Sequence, residues 1–135
     1  MYRAHTVSVA VAVDSEKAYR YASDPSHLPH WARGFIRSIE RRNDEWVAQT
    51  ALGEARFRFA APNTFGVLDH EVELPTGTFH NRMRVIPNGS GCEILFTLLQ
   101  LPGVSDEQFK GDLETIRGDL KTLRTVLEQT AGNAA

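Results

Sequence analysis

The apolar residues of this chain follow period two in some stretches and period 3.6 in others. From His5 to Val13 they alternate, with Val7, Val9, Val11 and Val13 on one face and Thr6, Ser8, Ala10 and Ala12 on the other. That pattern predicts a half-buried strand. Asp14 is placed to cap a short helix ending at Ala22, where Ala18, Tyr21 and Ala22 form a narrow apolar face. Asp24-Pro25 stops it and opens a second helical piece, Ser26 to Trp31, interrupted by Pro29.

Beyond Gly34 the pattern is one of hairpins. Strands are predicted over Phe35–Arg42, Glu45–Leu52, Ala55–Ala61, Phe65–Leu74, Thr78–Ile86 and Cys92–Leu101. The turns between them are Asn43-Asp44, Gly53-Glu54, Pro62-Asn63, Pro75-Thr76-Gly77 and Pro87 to Gly91. Seven strands, six of them consecutive, predict an antiparallel meander.

The helical period then takes over. Phe109, Leu113, Ile116, Leu120, Leu123 and Leu127 are spaced 4, 3, 4, 3 and 4, one stripe of a helix from Ser105 to Gln129. Such a helix is roughly 37 Å long. Ser105 with Gln108 reads as a capping box, and Asp106 and Glu107 suit the positive end of the helix dipole. Gly111 and Gly118 inside it cost up to about 1 kcal/mol each relative to Ala, and are expected to be exposed. A frayed tail is expected over 130–135.

At 135 residues, with 41% hydrophobic and 24% charged positions, one domain spanning 1–135 is expected. A net charge of −2 gives no electrostatic case for nucleic acid. No window approaches a membrane span, and the first residues alternate where a secretory signal would be continuously apolar. The lone cysteine, Cys92, fits a reducing compartment, so a cytoplasmic location is expected.

A strand, two short helices, six strands and a long helix make a β-α-α-β6-α plan. A seven-stranded twisted sheet curls, and the long helix can lie in the curl. The residues Val7 to Val13 with Asp14-Ser15-Glu16-Lys17-Ala18-Tyr19 are similar to the opening of a known superfamily. So are Ser23-Asp24-Pro25-Ser26-His27-Leu28-Pro29-His30-Trp31 and the stretch from Phe96-Thr97-Leu98 through Asp119-Leu120-Lys121-Thr122-Leu123. The chain resembles the START-related, birch-pollen-allergen-like superfamily, and within it the polyketide cyclase/dehydrase branch. The resemblance implies the α+β helix-grip fold, a curved seven-stranded antiparallel sheet around the C-terminal helix. It carries no shared catalytic signature to transfer, since such proteins include carriers, receptors and cyclases.

His70 is the best chemical candidate. It shares a strand face with Leu68, Val72 and Leu74, while Asp69, Glu71 and Glu73 share the other. A desolvated, neutral imidazole suits a general base or a hydrogen-bonding ligand contact, and equally a core histidine tied to backbone. On the next strand Phe79, Asn81, Met83 and Val85 are expected inward. A turn pairing Leu74 with Phe79 would set Val72 against Asn81 and His70 against Met83. Trp31, Trp46, Phe57, Phe59 and Phe96 are expected on inward faces, as core or as cavity wall, with Phe109 and Ile116 on the helix side. Asp112 flanks the helix stripe with Asp119 one heptad later, roughly 10 Å along the axis, too far for a dyad; salt bridging or solvation is expected for both. Both could also meet the sheet edge or the cavity mouth, and Asp112 is a candidate ligand contact. His27 and His30 lack a third ligand, so no metal and no cofactor are expected. Arg56, Arg58, Arg82 and Arg84 against Glu54, Glu71, Glu73 and Glu93 read as a solvated outer face.

The leading expectation is a cup that binds a hydrophobic small molecule, lipid-like or aromatic, between sheet and helix. An alternative is a polyketide cyclase/dehydratase-like enzyme with His70 as general base. A further one is a protein-interaction module with a collapsed cavity; a homodimer is left open.

Overall fold

The computed structural model describes residues 1–133, with side chains described through 129. The elements are β1 (Ala4–Val11), α1 (Ser15–Ala22), a 3-10 turn (Pro25–His27), α2 (Leu28–Trp31), β2 (Ile36–Arg42), β3 (Glu45–Thr50), β4 (Gly53–Phe59), β5 (His70–Leu74), β6 (Gly77–Asn88), β7 (Gly91–Leu99) and α3 (Asp106–Asn133). All seven strands form one antiparallel sheet in the order β1-β7-β6-β5-β4-β3-β2. This is the helix-grip arrangement.

Local chemistry explains the boundaries. Asp14 Oδ1 accepts from the amides of Glu16 and Lys17, at 2.9 and 3.1 Å, and so starts α1. Asp24 does the same for the 3-10 turn through Ser26. Ser105 Oγ accepts from the Gln108 amide (3.1 Å), which is one half of the expected capping box. The helix it opens continues to Asn133, past the expected end at Gln129, and residues 134–135 of the expected tail lie outside the described residues.

The alternation of each strand sorts its side chains. Val7, Val9 and Val11 of β1, Met83 and Val85 of β6, and Cys92 and Ile94 of β7 turn onto the concave face and are buried. Leu113, Leu120, Leu123 and Leu127 of α3 close over them. Here α3 packs chiefly on β1, with α2 and α1 supporting it and β7 alongside. Ala12 N–H donates to Glu128 Oε2 (2.8 Å), tying the end of β1 to the last turns of α3. On the convex face Arg42, Arg56 and Arg58 interleave with Glu40, Glu45, Glu54, Glu71 and Glu73, as expected of a solvated ladder.

Three expectations need correction. The β5–β6 turn is tighter than predicted: Leu74 pairs with Gly77, which moves every opposing residue of β6 by two. Phe79, expected inward, therefore sits near the hairpin end and is 37% exposed. The strand expected from Phe65 begins only at His70. Asn63 holds the preceding stretch in a different shape, its Oδ1 accepting from the Phe65 and Val67 amides, both at 3.0 Å.

Candidate functional site

The register of β4, β5 and β6 sets Phe59, His70 and Asn81 side by side in one row across the concave face. The neighbouring row holds Trp46, Phe57 and Val72. On the other side Met83 faces Phe96 across β6 and β7. His70 is thus ringed by aromatics. Phe59 stacks on it with centroids 4.8 Å apart, Phe57 lies at 6.1 Å, and Phe96 meets it edge-on at 6.3 Å. Asn81, and not the expected Met83, stands opposite His70.

His70 is 7% exposed. Its Nδ1 lies 3.0 Å from the Leu68 carbonyl oxygen, which can only accept, so Nδ1 carries the proton. Nε2 then presents its lone pair, and Asn81 Nδ2 donates to it at 3.3 Å. Burial pushes the imidazole pKa below its ordinary value, against a smaller opposite pull from the Leu68 carbonyl and Asp69. The ring is therefore a neutral hydrogen-bonding group of fixed tautomer. Asn81 Oδ1 accepts nothing from the described residues and is the open polar atom of the pair.

The other expected residues fall into two groups. Phe57 and Met83 are fully buried around His70, while Trp46, Phe59, Asn81 and Phe96 keep part of their surface accessible. Phe109 is buried on α3 beneath the Arg3 guanidinium, 5.1 Å from its ring; Asp112 and Ile116 are half-buried on the same helix. Burial raises the Asp112 carboxyl, with the Gln108 side chain beside it opposing the shift. Asp119 departs from expectation. It is in no ion pair with a described residue; its Oδ1 instead accepts from the Gly34 amide at 3.0 Å, and desolvation lifts its pKa to about 6. Trp31 is 5% exposed at the end of α2, and its Nε1–H is the one buried side-chain donor without an acceptor among the described residues.

Sequence reasoning missed a second feature. A half-open cleft of about 480 Å³ lies between α1, the β4–β5 connection and the end of β6, with Tyr19, Arg20, Asn63, Phe65 and Pro87 among its walls. It shares no residue with the cluster around His70. The two regions are chemically distinct: the buried titratable group is on the sheet, and this cleft is beside α1. Its walls come from three distant stretches; the sequence pattern shows the helix to Ala22 and the turns at Pro62-Asn63 and Pro87, but not that they meet.

A curved seven-stranded antiparallel sheet, closed by a C-terminal helix and braced by two short helices, decides the fold. It is the fold of the START-related superfamily. The chain is similar to the Zhui aromatase/cyclase from Streptomyces sp. R1128, with a TM-score of 0.76 at 11% identity over 97% of this chain and 96% of that one. It is similar to a START superfamily protein from Mycobacterium smegmatis, TM-score 0.67 at 19% identity over 94% and 98%. A third likeness is to Ara h 8.0201, TM-score 0.67 at 14% identity over 94% and 98%. No protein-family model and no curated protein sequence matches the chain. These START-like neighbours share the architecture at identities that carry the fold alone.

Proposed function

We propose that the chain binds an apolar, ring-bearing small molecule on the concave face, against Phe59 and Phe96, with Asn81 as the polar contact. The observation that carries this reading is the pairing of buried His70 with half-buried Asn81 among aromatics. His70 holds Asn81 by its amide nitrogen, and the carbonyl oxygen is left to meet a ligand hydroxyl or N–H. A few oriented polar groups in an apolar wall are the ordinary composition of a binding site.

Catalysis by His70 as general base is the weaker reading. A base needs its lone pair within reach of the substrate proton. Here the Nε2 lone pair already receives the Asn81 amide. The likeness to an aromatase/cyclase keeps that chemistry in view without assigning it.

The test is native mass spectrometry of the protein purified from its own host, followed by binding of whatever apolar compound is released. A retained compound whose affinity drops tenfold or more in Asn81→Leu supports binding at this face. A compound whose binding ignores Asn81 and Phe59 substitutions overturns it. Turnover that is lost in His70→Gln while binding persists would favour the catalytic reading.

A further inference from the structure

We propose that the cleft between α1 and the β4–β5 connection is a second small-molecule site, one that takes an aromatic carboxylate. At about 480 Å³ it falls in the few-hundred to about 1,000 Å³ range of ligand pockets. Its walls are fixed before anything enters. Asn63 Nδ2 donates to the carbonyls of Ala61 and Val67, each at 3.0 Å, while its Oδ1 accepts the two amides already described. The Asn63 amide in turn donates to the Tyr19 hydroxyl at 3.0 Å, joining the loop to α1. Gly66 locks the far side: Val85 N–H donates to its carbonyl at 2.9 Å, and a Cβ there would lie 2.1 Å from the Val85 carbonyl oxygen.

This rigid loop holds Phe65 outward, 81% exposed. A mobile loop would let the ring fold back onto apolar surface; a pinned one presents it. Phe65 with Pro87 offers an aromatic and aliphatic surface for a flat ring.

The polar groups select the charge. Tyr19 accepts from Asn63 and so retains its own O–H for a further acceptor. Arg20 lies beside it on α1, exposed and in no ion pair with a described residue. A hydroxyl and a guanidinium together match a carboxylate. Glu16, one turn before Arg20 on α1, also lines the cleft. The carboxylate is assigned to Arg20 and the Tyr19 hydroxyl, and the ring to Phe65 and Pro87.

The experiment is an amide-resolved NMR titration of the full chain with 2-naphthoate and with its neutral isostere 2-naphthamide. Saturable shifts centred on residues 15–20, 63–66 and 85–87 are expected, with naphthoate the tighter ligand. Arg20→Gln should weaken naphthoate at least tenfold and leave naphthamide unchanged, and Phe65→Ala should weaken both. Both side chains are exposed, so neither change disturbs the core, and unchanged amide shifts elsewhere would verify that. Shifts centred on Phe59, His70, Asn81 and Phe96 overturn the proposal, as do equal affinities for the two probes or no saturable shift at all. Because the two sites share no residue, failure here leaves the concave-face reading standing, and the converse holds.

Discussion

Asn81 stands directly across the β5–β6 ladder from His70 and donates to the imidazole nitrogen that a general base would need free, at 3.3 Å. The ring between Asn81 and the Leu68 carbonyl has both nitrogens engaged, so its protonation state is set by the fold. Its folded pKa lies below the ordinary 6.5, so the unfolded chain takes up the proton first as pH falls. The stability held by the neutral ring is complete above that value and declines below it. Nitrogen NMR should report an Nδ1–H tautomer at neutral pH, and His70→Phe should flatten the loss of stability as pH falls below 6.5. An Nε2–H tautomer would contradict the assignment.

Asp119 runs the other way. Its folded pKa of about 6 exceeds the ordinary 3.8, so stability from this group is fully present below the unfolded value and is lost as pH rises through about 6. Asp119→Asn keeps an acceptor for the Gly34 amide and removes the charge. The variant should be more stable than the parent at pH 8 by about 1 kcal/mol, a figure discounted for the solvent that screens a half-buried carboxylate. The gain should vanish near pH 4. Chemical denaturation at the two pH values decides it.

Gly111 and Gly118 of α3 face open space, with nothing within 4 Å of an added Cβ. Replacement of either by Ala should raise stability by up to about 1 kcal/mol, additively. Gly66 shows the opposite case. Its φ of +71° and the Val85 carbonyl oxygen 2.1 Å from any Cβ leave no room, so Gly66→Ala should cost about 3 kcal/mol or more. Thermal unfolding of the three variants checks both signs.

Trp31 carries a buried N–H with no acceptor among the described residues. An unpaired buried donor costs about 1–3 kcal/mol. Trp31→Phe removes the donor and keeps an aromatic ring, so the usual penalty for shrinking a core side chain should be offset. The expected outcome is a urea midpoint at or above that of the parent; a clear drop would show that the N–H is paired in solution.

The residue pattern carried the order of elements because burial dictates period, and strands such as β1 and β5 alternate as their faces require. Register did not follow from period alone. Shifting β6 by two residues keeps every side chain on its own face, so the Leu74–Gly77 pairing changed the partner of His70 from Met83 to Asn81 and carried Phe79 to the exposed hairpin end. Asp119 and Gly34 are joined by the approach of the α2–β2 connection to α3, where an added Cβ would come within 2.5 Å of Thr115 Cγ2. No local signal announces such a meeting. The pinned loop at Phe65 was hidden for a related reason: Asn63 reads as a turn residue, and only the fold reveals that its amide fixes both sides of a cleft.

The pairing of β1 with β7 has a consequence for the life of the chain on the ribosome. Ala4 meets Leu99 and Val11 meets Cys92, so the first strand made has its ladder partner in the last. The hairpins from β2 to β6 can close as they emerge, whereas β1 must wait unpaired until β7 has been synthesised. Glu128 then reaches back to Ala12 from later still. Closure over so long a span is entropically slow. The β1–β7 ladder therefore joins the strands farthest apart in sequence, and it carries the largest loop-closure cost in the sheet.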